Sequence, residues 1–303
     1  MRARLFYNIV RKLPDEMVSI TVDHKQQVSI RAGAAFFQIT AMDSEDYPEL
    51  PDVNGKSGVT MPQSALTAMI SGTIFSVSEN QARPIQTGCL MEVTEDSVTV
   101  VAVDSFRLAR RTWHTENAAN HTLKFVVPAA GLKEIERILE DSDAPVTFTL
   151  GDKHILFSIG DALLVSRVLE GEFIDWRRVV PTNCGTVLTA NVAELTSSIE
   201  RVSLIISEKV KSPVRCVFGD NMADFRTANT IGSAHDTCSI AGNGGELEIG
   251  FNSRYLLDAL RVIPSEEVTL ELQNGLSTIV FTPCDKKYDF AYMVLPVRLR
   301  SNS

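Results

Sequence analysis

One pattern returns five times along this 303-residue chain: an amphipathic helical stretch followed by short alternating strands and tight turns. The helical stretches start near Arg2, Pro62, Pro128, Asn191 and Asn252, spaced 60, 66, 63 and 61 residues apart. Such a period marks a repeat whose units cannot bury their apolar faces alone. The stripe is Leu5, Phe6, Ile9, Val10 and Leu13 in the first helix and Val192, Leu195, Ile199, Val202 and Ile206 in the fourth. Pro62 and Pro128 suit a first helical position, and Asn191 and Asn252 suit a cap. Strand pairs then turn at Asp23-His24-Lys25, at Gly151-Asp152-Lys153 and at Gln273-Asn274-Gly275. Each unit is one helix laid on antiparallel strands, so the fold class is α+β and two units make a domain. Units one, three and five have a second-half character, and units two and four a first-half character. The first domain therefore lacks its opening half: either about 60 residues precede Met1 or that domain is abbreviated.

Leu163 to Pro181 reads as a closing strand running into a connector between domains. Leu163, Val165, Arg167 and Leu169 alternate with Leu164, Ser166 and Val168, then Glu170-Gly171-Glu172 breaks the pattern and exposes Phe173 and Trp176. No run approaches the roughly 18 apolar residues of a membrane span, and the N-terminus has no signal-peptide pattern, so no membrane role and a cytoplasmic location are expected. The five cysteines are scattered without a CxxC pair, which suggests free thiols. A formal charge of −9 repels nucleic acid at long range, so a nucleic-acid role needs local clusters of positive charge.

Catalytic signatures fail one by one. Asn54-Gly55-Lys56-Ser57 resembles the end of a phosphate loop, but position 50 is Leu where that motif needs Gly. Gly242, Gly244 and Gly245 open no helix. The five histidines lack metal-ligand spacing, no serine sits in a GxSxG elbow, and Glu170, Glu172 and Asp175 read as solvated loop acids. No enzyme, cofactor or metal site is expected. What stands out instead is Val100 to Arg111, VVAVDSFRLARR, a strand turning at Asp104-Ser105. The chain's close is similarly apolar, with Pro296 keeping it out of a central ladder.

VAVDSFRLARR, LVSRVLEGEFIDWRRVVP, EIGFNSRYLLDAL and YMVLPVRL, in that order over nearly the whole chain, resemble the bacterial DNA polymerase III beta subunit family, the DNA sliding clamps. The resemblance implies the three-domain DNA clamp fold with an incomplete first domain: residues 1–57 the second half of domain 1, 58–181 domain 2, and 182–303 domain 3. It implies a groove taking short peptides from the DNA polymerase III catalytic subunit, the clamp loader, and other polymerases and repair proteins. By motif the groove falls on Val103, Ser105, Phe106, Arg107, Leu108, Pro181, Asn252, Tyr255, Leu276 and Thr278, and on Met293, Val294, Leu295, Pro296, Val297, Arg298 and Leu299. Apolar anchors with an arginine rim suit an extended peptide. The ring interface of a homodimer maps to Phe37, Ile39, Leu204 and Ile205. Duplex DNA, bound without sequence preference, would face Arg2, Arg4, Arg11, Lys12, Lys133, Arg137, Arg201, Lys209, Arg254 and Arg261. The implied function is a non-catalytic, nucleoid-associated processivity clamp encircling DNA. The alternative is a shortened relative that binds clamp partners without closing a ring.

Overall fold

The computed structural model describes residues 2–14, 17–43, 45, 51, 53, 58–116, 122–181, 184–206, 212–274 and 278–299. Two compact units emerge, residues 1–52 and 53–303.

The N-terminal unit holds α1 (Ala3–Val10), then β1 (Ser19–Val22), β2 (Gln27–Ala32) and β3 (Ala35–Thr40) in an antiparallel sheet of that order. The turn between β1 and β2 forms because Asp23 Oδ1 accepts the N–H groups of Lys25 and Gln27. Cross-strand pairing places Ile20 opposite Ile30 and Val22 opposite Val28, on one face with Phe37 and Ile39. The core of the unit is Ile9, Val28 and Ile30. Ile20 and Val22 share that face yet remain 47% and 64% exposed. So small a core leaves little to resist local opening. By hydrogen-exchange mass spectrometry, amides of Ser19–Thr40 are expected to exchange well ahead of the central strands of the C-terminal unit. Equal protection would show that the unit is held by more than these contacts.

The C-terminal unit runs β4 (Gly58–Pro62), α2 (Gln63–Ser71), β5 (Gly88–Val93), β6 (Ser97–Val103), β7 (Arg107–His114), β8 (Leu123–Pro128), α3 (Ala129–Ile138), β9 (Pro145–Leu150), β10 (His154–Ile159) and β11 (Ala162–Arg167). It continues with β12 (Thr186–Asn191), α4 (Val192–Ser203), β13 (Val214–Ala228), β14 (Ser233–Phe251), α5 (Ser253–Leu260), β15 (Glu267–Leu272), β16 (Ile279–Pro283) and β17 (Phe290–Val294). One sheet has the order β11-β10-β9-β4; a second, of ten strands, has the order β13-β14-β12-β15-β16-β17-β7-β6-β5-β8. α2 and α3 close a core with Leu66, Met69, Leu132, Ile135, Phe148 and Phe157. α4 and α5 close another with Leu195, Ile199, Leu256, Leu260, Phe251 and Phe281. The two meet where β17 pairs with β7, Met293 opposite Leu108 and Val294 opposite Arg107.

All five helices begin within a residue or so of their expected starts. Asn191 and Asn252 cap as read, accepting from the N–H groups of Glu194 and Arg254. Pro62 and Pro128 stand one residue earlier than expected, at the cap. Pro62 offers no side-chain acceptor, so the first N–H groups of α2 are satisfied by the carbonyls of Ala144 and Ser142, both at 2.9 Å.

The connector differs from its expected form. β11 stops at Arg167, and Phe173 is buried, not exposed. The reason lies in the ten-stranded sheet. Its outer side presents Leu90, Val101, Val103, Leu108, Val126, Val280, Ala291 and Met293, an apolar surface that Phe173, Leu169, Trp176, Val179 and Val180 cover. Gly171, at φ +128°, gives the turn that brings Phe173 down onto it.

No helix among the described residues is long and apolar enough to cross a membrane.

Candidate binding groove and nucleic-acid interface

The loop joining β6 and β7 is shaped by Asp104, whose Oδ1 accepts the N–H groups of Phe106 at 2.7 Å and Arg107 at 3.0 Å. This fold-back turns Phe106 outward, where it is 54% exposed and stacks on Tyr255 of α5 with ring centroids 5.9 Å apart. Arg107 turns inward and is only 9% exposed. Its guanidinium bonds Asp104 Oδ2 at 3.0 Å and Asp258 Oδ2 at 2.6 Å, and lies 4.5 Å from the Tyr255 ring centroid and 5.7 Å from that of Phe75. Arg107 is therefore a wall residue with its charge compensated, not the rim expected of it. Exposed arginines beside this site are Arg298 and Arg254.

The chain's last described residues run beside this wall. Leu295 N–H donates to the Phe106 carbonyl at 2.8 Å and Val297 N–H to the Gly250 carbonyl at 2.7 Å, with Pro296, which has no N–H, between them. A Cβ at Gly250 would stand 2.8 Å from the Val297 carbonyl oxygen and 2.6 Å from Leu299 Cδ2, so only glycine lets the tail lie this close. Gly250→Ala is expected to lift residues 295–299 from the sheet, read as protease cleavage there with the core intact; unchanged resistance would refute it.

Of the expected groove residues, Val103, Leu108, Met293 and Val294 are buried beneath this surface, and Ser105, Phe106, Leu295, Val297 and Arg298 are exposed on it. Pro181, Thr278, Pro296 and Leu299 are half-buried. Asn252 is half-buried too, and its side-chain oxygen is engaged as a cap. Leu276 lies outside the described residues. Phe75, Asp258, Val179 and Val180 also build the site. Asp258 had a sequence signal, three residues beyond Tyr255 on one helix face; Phe75 had none.

Glu92 of β5 fixes the connector. Its buried carboxylate accepts from Trp176 Nε1 at 3.2 Å and Arg177 at 2.9 Å, with Lys124 at 3.4 Å. Burial pushes its pKa up, but these hydrogen bonds and the charges of Arg177 and Lys124 outweigh that and hold it below the ordinary 4.5. A depressed carboxylate stabilises the fold above its unfolded pKa, so the contribution is whole at neutral pH. It fades as pH drops below 4.5 and is gone once pH passes under the native value. In a Trp113→Phe background, Trp176 fluorescence should report an acid transition that Glu92→Gln flattens. A transition untouched by that change would rule Glu92 out.

The basic positions differ in company. Arg2, Arg4, Arg11 and Lys12, on and around α1, are all exposed, with Arg11 5.9 Å from the Tyr7 ring centroid. Lys133 is exposed on α3. Arg137 bonds Glu134 at 2.7 Å, Arg261 bonds Glu200 at 2.8 Å, Arg254 lies 4.0 Å from Asp258, and Arg201 bonds Asp236. Lys209 lies outside the described residues. Phe37 and half-buried Ile39 occupy β3, an edge strand of its sheet. Leu204, just past α4, is 83% exposed, while Ile205 is half-buried and its carbonyl accepts from Asn229 Nδ2 at 2.9 Å. No group of three or more His, Cys, Asp or Glu among the described residues is placed to hold a metal.

Comparison with known proteins matches three family models in order along the chain. Residues 1–51 match the DNA polymerase III beta subunit N-terminal domain, 60–175 its central domain, and 177–298 its C-terminal domain. A beta sliding clamp of Staphylococcus epidermidis is 29% identical over 297 residues, covering 97% of this chain and 78% of that protein. A putative DNA polymerase III beta subunit from Eubacterium rectale superposes with a TM-score of 0.92 at 32% identity, over 98% of this chain and 80% of that one. A Bacillus subtilis DNA polymerase sliding clamp does so with a TM-score of 0.92 at 29% identity, over 99% and 80%. With all three domains of the family matched in order along one chain, this protein belongs to the DNA polymerase III beta subunit family, the beta sliding clamps.

Proposed function

We propose that this chain is a processivity clamp: it is held on duplex DNA by encirclement and tethers DNA polymerase III there, adding no catalysis of its own. The observation that carries the reading is the meeting of β7, α5 and the C-terminal segment. Phe106, Tyr255, Leu295 and Val297 present apolar surface there over a wall braced by Arg107. An extended peptide's hydrophobic side chains suit that surface, which supports a docking groove for the polymerase, the clamp loader and repair proteins. Residues 58–181 and 182–303 are read as the second and third clamp domains and residues 1–57 as part of the first. A homodimer closes the ring through Phe37 and Ile39 of one copy and Leu204 and Ile205 of the other. Retention by geometry calls for only a loose grip on phosphates, in keeping with a net charge of −9. The exposed Ile20 and Val22 favour the second reading, a relative that binds clamp partners without circling DNA.

Loading onto nicked circular DNA separates the two. Retention at high salt that vanishes on linearisation is the result expected of a clamp. Equal retention on circles and linear DNA would sink encirclement and leave the second reading.

A further inference from the structure

Resting on the clamp reading, the distribution of helix charge goes one step further. Residues 1–16 carry Arg2, Arg4, Arg11 and Lys12 against two acids, Asp15 and Glu16, which both follow the helix and lie outside the described residues. The other helices carry no net positive charge: α3 has Lys133 and Arg137 with Glu134 and Glu136, α4 has Arg201 with Glu194 and Glu200, α5 has Arg254 with Asp258, and α2 carries no charge. The ion pairs repeat the contrast. Arg137, Arg201 and Arg261 are each bonded to a carboxylate, whereas among the described residues no carboxylate lies within ion-pair distance of the four basic side chains around α1. A phosphate approaching a paired arginine meets the carboxylate as well, so few condensed counterions are released there. One approaching the Arg4–Arg11 face meets two arginines that no described carboxylate pairs.

Geometry concentrates the effect. Arg4 and Arg11 lie seven residues apart, two turns of one helical face, with the exposed Tyr7 and Asn8 between them. That face points away from Ile9, Phe6 and Leu13, which pack on the sheet.

We infer that the phosphate contacts of this clamp are concentrated on the outward stripe of α1, Arg4, Arg11 and the adjoining Lys12, while the helices of the C-terminal unit offer duplex DNA a nearly neutral surface. The prediction is read from the salt dependence of binding to a fluorescently labelled duplex of mixed sequence. Because each lost phosphate contact lowers the slope of log K against log salt by roughly 0.9, the triple variant Arg4→Gln/Arg11→Gln/Lys12→Gln should lose roughly 2 to 3 from the slope. Arg137→Gln/Arg261→Gln should lose less than roughly 0.5, and Arg4→Lys/Arg11→Lys should keep the wild-type slope. Far-UV circular dichroism checks the fold of each. Equal losses in the triple and the control pair would overturn the inference and leave the clamp reading untouched. So would a control pair losing 2 or more by itself, however the triple folds. A wild-type chain that binds no duplex at any salt would overturn the inference, while the clamp reading stands or falls on retention on circular DNA.

Discussion

Replacing Arg107 with alanine is expected to destabilise the C-terminal unit by about 3 kcal/mol in urea unfolding, the lower end for breaking a buried ion pair. The loss has two sources. Asp104 and Asp258, with side chains 14% and 23% exposed, would face one another's surroundings without the cation that neutralises both. Tyr255 and Phe75 would lose a guanidinium lying 4.5 and 5.7 Å from their ring centroids, a contact worth about 1 kcal/mol or more when desolvated. Lysine should recover less than half of the loss, because an ammonium can meet one carboxylate but cannot bond two while lying flat between rings. The function should follow the structure. Without Arg107 the β6–β7 loop loses its ion pair to α5, so the Phe106–Tyr255 stack is expected to splay. A fluorescent peptide carrying a clamp-binding motif should then bind at least tenfold more weakly. An alanine variant within 0.5 kcal/mol of wild type would show that the wall does not depend on this side chain.

That arginine also marks where the sequence stops being legible. Helix starts were readable because caps and 3.6-residue stripes are local: Asn191 and Asn252 accept the bonds their identity implies. The loop VAVDSFRLARR and the tail could be placed by family resemblance. The charge state of the wall could not, since Asp258 lies 151 residues from Arg107 and packs against it only once β7 and β17 have paired. The burial of Phe173 is hidden from the sequence for a related reason. Its surroundings are an outer sheet face assembled from β5, β6, β7, β8, β16 and β17, strands on both sides of Pro181, while the charged residues around it in sequence, Glu170, Glu172 and Asp175, speak for solvent. Arg201–Asp236 and Arg261–Glu200, 35 and 61 residues apart, were likewise invisible, which is why ten basic residues looked equivalent when they are not.

Leu204→Glu should leave the folded protomer within about 0.5 kcal/mol of wild type and yet abolish retention on circular DNA. Both halves of that expectation follow from exposure. At 83% exposed, the side chain makes almost no contact within its own chain, so removing it disturbs no packing. In the proposed ring of two head-to-tail copies the same residue would be buried twice, once per interface. Burying a leucine is worth about 2 kcal/mol, and a carboxylate set against Phe37 and Ile39, as the proposed ring would place it, would add a desolvation cost. The sum over two interfaces is about 4 kcal/mol or more, at least a thousandfold in association. Light scattering should therefore shift from dimer to monomer, salt-resistant retention on closed circles should fall to the level seen on linear DNA, and primer extension should shorten to that of the polymerase alone. A Leu204→Glu chain that still scatters as a dimer would remove these residues from the interface. A wild-type chain that is monomeric at micromolar concentration would sink ring closure itself, since no later variant could then lose what the parent never had.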